Sequence, residues 1–230
     1  MVALLLAIDT SGHSAGIAVL DGTQVLAEQT WTVRGSHGRL LLPAAEQLLR
    51  VAGGSANDLQ AVGVALGPGA FTGLRVGIVT AKTVAWALDI PCLGIPSLEA
   101  LAATASGASR VLAVLDAGRE EWFWALYAND RGRRRCLSPP EIGRPEEALK
   151  RLTRSTLLVG ECSDSQQALI ATSFARTVEL GDRRLPATRP AAVGLLAAER
   201  LAAGERDDPA TLAPFYLRRP AAEERKGVAG

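Results

Sequence analysis

The sequence predicts an α/β protein built twice over, and three observations predict it. Apolar strand-like runs alternate with helix-like stretches along the chain. An aspartate closes the first apolar run of each half, at Asp9 and at Asp116. The segment LLAIDTSGHSAGIAVLDG from Leu5 is echoed by VLAVLDAGREEWFWALYANDRG from Val111, each reading apolar strand, aspartate, polar turn, second apolar strand, then an Asp or Asn turn. Duplicated units share their strand order, so two α/β subdomains are expected. The division falls at residues 1–107 and 108–215, with 216–230 a tail of charged and small residues expected to be disordered.

Composition narrows the setting. The chain has 230 residues, 48% of them hydrophobic and 21% charged, with a formal net charge of +1, enough to bury a sizeable core with no strong field toward nucleic acid or membrane. Cys92, Cys136 and Cys162 are widely spaced and odd in number, which argues against a disulfide framework or a paired-cysteine zinc site and points to a reducing cytoplasm. The apolar run Val2 to Ile8 meets Asp9 too soon to span a bilayer and carries no basic leader, so it reads as a buried strand.

In order, strands are expected at 4–9, 15–20 and 24–30, with Asp21-Gly22 a hairpin signal. Asp9 then sits at a strand's C-terminal end, where carboxylates of open sheets point into a cleft toward a metal or phosphate. A helix over 36–51 gathers Leu40, Leu41, Leu42, Ala45, Leu48 and Leu49 on an apolar face. Strand 61–66 leads through Gly67-Pro68-Gly69 into a helix ending at Leu88, with Thr72 capping its start. Glycine and proline there give a tight turn, with a positive φ open to glycine. GPGAFTG is neither G-x-G-x-x-G nor a P-loop, so turn chemistry outweighs phosphate binding. This helix is apolar nearly all round, which implies burial on more than one side, the second side being a place for a partner.

A strand at 92–95 and a helix at 97–105 complete the first half. In the second, Trp122 and Trp124 read as core packing and not as a ligand cage. Arg133, Arg134 and Arg135 read as a solvated hairpin turn. A short helix follows at 145–152, a buried strand at 156–160, helical residues at 165–172, a strand at 177–180 and a last helix at 191–203 that suits either half. Together these give a duplicated ribonuclease-H-like architecture, the plan of actin-like ATPases.

Several stretches then become specific. LLAIDTSGHSAGIAVL, SHGRLLLPAAEQLL, GPGAFTGLRVGIVTAKTVAWALDIPCLGIPSLEALA, RVLAVLDAGREEWFWALY and PFYLRRPAAE together resemble the TsaB (YeaZ) family over nearly the whole chain, GPGAFTGLRVGI being the most distinctive part. The resemblance implies an actin-like fold that has lost its catalytic machinery, needs no cofactor or metal of its own, and works in the bacterial cytoplasm. It implies a scaffold role in making N6-threonylcarbamoyladenosine on tRNA, with the catalytic subunit TsaD and the ATPase TsaE as partners, tRNA met only through the complex, and a homodimer when TsaD is absent. Contact with TsaD is implied through the two leucine- and glycine-rich helices. Carried onto this chain it would use Leu40, Leu41, Ala44, Leu48, Leu74, Arg75, Val76, Ile78, Thr80, Ala81 and Val84.

The competing reading is an enzyme, either a small-molecule kinase with Asp9 and Asp116 around magnesium or a glycoprotease-like hydrolase. The kinase lacks phosphate loops: Asp9 is followed by TSGHS, and ECSDSQQAL after Gly160 has no double glycine. The hydrolase lacks an orienting partner for His13 or His37, which also lie too far apart to pair on a metal. Arg75 reads as a cap or salt-bridge contact inside the fold, with the partner as its other destination. Arg218 and Arg219 have the partner or tRNA within their expected reach.

Overall fold

The computed structural model describes residues 3–33, 38–182 and 185–218. The first sheet contains β1 (Leu4–Asp9), β2 (Ser14–Asp21), β3 (Gln24–Thr32), β4 (Leu59–Gly67) and β5 (Cys92–Pro96), in the order β3-β2-β1-β4-β5. The second contains β6 (Arg110–Gly118), β7 (Glu121–Asp130), β8 (Arg133–Cys136), β9 (Glu141–Gly143), β10 (Thr156–Gly160) and β11 (Val178–Leu180). Its path β11-β10-β6-β7-β8 is the first order read backwards, with β9 paired to β7. In each sheet the first three strands form an antiparallel meander and the last two add in parallel. That equivalence is the duplication expected from the echoed segments.

Helices α1 (Gly38–Val51) and α2 (Phe71–Leu88) cover one face of the first sheet. Their inward residues Leu41, Leu48, Leu74 and Ile78 pack on Leu6, Ile8, Val62 and Val64. α3 (Ser97–Ala103) follows the first sheet in sequence, yet Leu98 and Leu101 pack on Val111, Ala113 and Leu115 of the second. α4 (Pro145–Lys150) and α5 (Asp164–Leu169) lie on that sheet's other side, where Ala148 and Leu149 meet Trp122 and Trp124. Both tryptophans are core residues, as their alternation requires. α6 (Arg189–Ala202) returns to the first sheet, packing Ala192, Val193 and Ala197 against Ala7, Ala18 and Ala61. The halves therefore exchange helices, and α3 and α6 touch between the sheets.

Three local readings are corrected. Thr72 does not cap α2: the N-cap is Ala70, without a side-chain bond, because the turn before the helix docks on the first sheet through Ala70 N–H donating to Ser11 O at 2.7 Å. Gly67 has φ 114°, as the turn requires, and a Cβ at Gly69 would collide with the Ser11 carbonyl. The basic run is a strand, the turn lying earlier at Arg131 and Gly132. Arg134 reaches back to donate to the carbonyls of Ala102, Ala105 and Ala108 around the C-terminal end of α3, where helix carbonyls lack intrahelical partners. Residues 216–218, expected in a loose tail, are tied down: Tyr216 stacks on Phe71 at 4.8 Å, and Arg218 donates to Ala117 O and to Glu121. Ser36, His37, Arg219 and the rest of the tail lie outside the described residues.

Candidate functional site

The turn after β1 and the turn after β6, equivalent positions of the two halves, border a cleft whose two lobes measure about 320 and 520 Å³. Asp116 lines both lobes, as its strand-end position predicts, whereas Asp9 lines neither and is buried behind them. Asp9 is not a free ligand. Its side chain is 1% exposed, Oδ1 accepts Ser11 N–H at 2.8 Å and Ser11 Oγ–H at 2.6 Å, and Oδ2 lies 2.8 Å from Arg189 Nε. Arg189, the first residue of α6, is equally buried and donates through Nη2 to Ser14 O at 3.2 Å. Two buried charges need each other, since either one alone would keep the cost of leaving water.

Glu161, just past β10, completes the knot. Its Oε1 accepts His13 N–H at 2.8 Å and stands 3.6 Å from Arg189 Nη1; its Oε2 accepts Asp116 N–H at 3.2 Å. His13 Nε2 is 2.8 Å from Asp116 Oδ2 and 3.9 Å from Glu161 Oε2, so the orienting partner missing from the sequence reading is Asp116. The Glu161 charge holds the imidazole above its usual pKa, against burial and with the Asp116 hydrogen bond assisting. Among the described residues no group of three or more His, Cys, Asp or Glu is placed to hold a metal ion. Through Glu161 and the His13–Asp116 pair the turn after β1 is joined to the end of β6, linking the two sheets.

Arg189 and Glu161 were missed from sequence. A signal existed for Arg189: a cation on the first residue of a helix opposes the helix dipole and asks for a compensating acid. Glu161 carried no such signal.

The proposed docking residues divide sharply. Leu41, Ala44, Leu48, Leu74, Ile78 and Ala81 are all buried in the protomer core, against the expectation that these helices leave them outside. The sheet below takes the richer apolar stripe of each helix. Leu40 and Arg75 are exposed, and Val76, Thr80 and Val84 half-buried. Arg75 donates to Tyr216 Oη at 3.1 Å and lies over the Phe71 ring at 4.0 Å, which is the internal contact reading. The outward apolar residues are instead Leu40, Leu42 and Val51 on α1, with Val79, 62% exposed, and Trp86, 82% exposed, on α2. Between α1 and the segment at residues 54–59 runs a largely apolar groove of about 490 Å³, lined by Leu42, Ala45, Leu49 and Leu59, with Val84 the one α2 residue at its edge. Among the described residues no helix is long and apolar enough to cross a membrane.

Two sheets of equivalent strand order around a shared cleft define a duplicated ribonuclease-H-like fold, the fold of the actin-like ATPases. Component A of (R)-2-hydroxyglutaryl-CoA dehydratase from Acidaminococcus fermentans superposes with a TM-score of 0.52 over 87% of this chain and 99% of its own at 10% identity, a likeness of fold alone. YeaZ from Pseudomonas aeruginosa superposes with a TM-score of 0.78 at 29% identity, over 94% of this chain and 100% of its own. A family described as "TsaD: tRNA N6-adenosine threonylcarbamoyltransferase" matches residues 25–226. The tRNA threonylcarbamoyladenosine biosynthesis protein TsaB of Bacillus subtilis is 32% identical over 225 residues, 96% of each chain, and the Escherichia coli protein of the same name is 36% identical over 55% of each. The chain belongs to this threonylcarbamoyltransferase-related family and, within it, to TsaB (YeaZ).

Proposed function

We propose that this chain takes part in N6-threonylcarbamoyladenosine synthesis on tRNA as a non-catalytic cytoplasmic subunit that binds and stabilises the catalytic subunit TsaD, with the ATPase TsaE joining the assembly. The observation that carries the reading is the outward apolar face of α1 and α2: two helices whose inner stripes are already buried still present Leu40, Leu42, Val79 and Trp86 to solvent. Val79 and Trp86, seven residues apart, share one side of α2, and an exposed apolar patch of this kind marks an association site. A second copy of the chain takes the same face when TsaD is absent, so dimer and heterocomplex compete. Arg75, Val76, Thr80 and Val84 border the contact.

The cleft supports the non-catalytic half of the reading. A kinase would need Asp9 free to hold a metal, and Asp9 is sealed against Arg189. The test mixes the chain with TsaD and TsaE and follows complex mass by light scattering, together with tRNA modification. Co-elution with TsaD, raised modification and no ATP turnover by the chain alone are expected. Phosphoryl transfer to a small acceptor by the lone chain would overturn it.

A further inference from the structure

The cleft contains a binding arrangement that the docking role does not use. Two backbone N–H groups, one from the turn after β1 and one from the end of β6, aim at the same carboxylate: His13 N to Glu161 Oε1 at 2.8 Å, and Asp116 N to Glu161 Oε2 at 3.2 Å. Converging main-chain N–H groups form an anion-binding concavity. The third side is the Arg189 guanidinium, 1% exposed, whose Nε and Nη1 make no aligned hydrogen bond despite their ion-pair distances to Asp9 and Glu161. The fourth is Gly12, where any Cβ would strike Glu161 Oε1 and crowd both Arg189 Nη atoms. The backbone has been kept bare so that an oxyanion can come close.

The geometry points to an oxyanion site shared by the two halves and filled by the chain's own Glu161, a built-in ligand that excludes small free carboxylates. Charge is consistent with this. Asp9 neutralises Arg189, Asp116 faces His13, and the remaining donors suit one further monovalent oxyanion, not a polyanion, in surroundings already bearing two other carboxylates. The side chain of Glu161 is only 14% exposed, so removing it leaves a cradle open toward the cleft and not a surface scar. The inference stands on cleft geometry and is independent of how α1 and α2 are used.

Glu161→Ala tests it, with formate as the probe. Thermal melts of the variant are compared in sodium formate and in sodium chloride at matched ionic strength. The variant is expected to melt below wild type and to recover by about 2 °C or more in formate, saturably, as expected for a ligand that binds only the folded state. Wild type, its site filled, gains nothing beyond chloride. No formate-specific gain in the variant, or an equal gain in wild type, overturns the proposal. Should Glu161→Ala fail to fold, Glu161→Gln gives a second readout through NMR titration of the His13 ring. Loss of the charge is expected to bring the imidazole back down toward its ordinary value, with Asp116 still in place. An unchanged His13 titration would show that Glu161 does not sit between the turns in solution.

Discussion

Leu41 and Val79 lie on the same two-helix element, and the structure assigns them opposite fates. Leu41 is 1% exposed within the first sheet's core, whereas Val79 is 62% exposed on the outer face of α2. Leu41→Ala removes packed methyl groups and leaves a cavity, a change that costs about 2–5 kcal/mol. For a chain of this length each kcal/mol moves the melting temperature by about 2–4 °C, so a fall of roughly 4–20 °C is expected. Val79→Asp touches no core contact and is expected to stay within about 0.5 kcal/mol of wild type. Its effect falls on association, because a carboxylate on an apolar seam loses its hydration with no partner to replace it. Urea unfolding measures the first quantity, and light scattering with and without TsaD measures the second. Val79→Asp that still binds TsaD with unchanged affinity would refute the outward face as the docking surface; Leu41→Ala that melts like wild type would refute the inward packing.

Two other outcomes follow from the same coordinates. Arg134→Ala leaves the carbonyls of Ala102, Ala105 and Ala108 without their charged donor and is expected to cost about 2–3 kcal/mol in urea unfolding; Arg134→Lys recovers only part, since an ammonium lacks the planar fork that reaches three acceptors. His13 gains its proton more readily in the folded chain than in the unfolded one, so its contribution is complete below the ordinary value of 6.5 and is lost as pH rises through the raised folded value. The stability difference between wild type and His13→Gln, measured by urea unfolding across pH 5.5 to 8.5, is therefore expected to shrink on going alkaline, and a difference that grows would contradict the ion pair.

Most strand positions and the duplication were legible because apolar runs ending in aspartate recur, and such runs need only local sequence to be seen. The outward face of α2 was not. Its composition is apolar nearly all round, with Gly73, Gly77, Ala81 and Ala85 supplying close approach on the side that proved to face the sheet. The small residues serve the protomer: Thr10 donates to Gly73 O at 2.7 Å, and its hydroxyl fills the space a Cβ at Gly77 would need. The bulky Val79 and Trp86 stayed outside. The cleft was half legible. Asp9 and Asp116 are placed by their strands, but Arg189 and Glu161 reach them only through tertiary packing from residues far along the chain, and no local pattern encodes that meeting.

The helix exchange explains why an outward α2 can be a precise surface. α2 starts from a turn docked on Ser11, and Phe71 and Arg75 in its first turns are held by Tyr216. That residue belongs to a strap anchored at one end by Asp207, which accepts Gly94 N–H at 2.7 Å and pairs with Arg200. Along its length Leu212 O accepts from Lys82 and Phe215 N–H donates to Leu66 O, and its far end is Arg218 on the β6–β7 turn. The N-terminal turn of α2 is thus fixed to both sheets, while its outer side touches neither. A side chain presented from a fixed helix loses little further freedom on association, which lowers the entropic cost of docking. The Glu161 bridge acts in the same direction, because it ties the turn after β1 to the end of β6. The strap holds the helix face and Glu161 joins the two halves, so both restraints come from contacts that cross between the sheets.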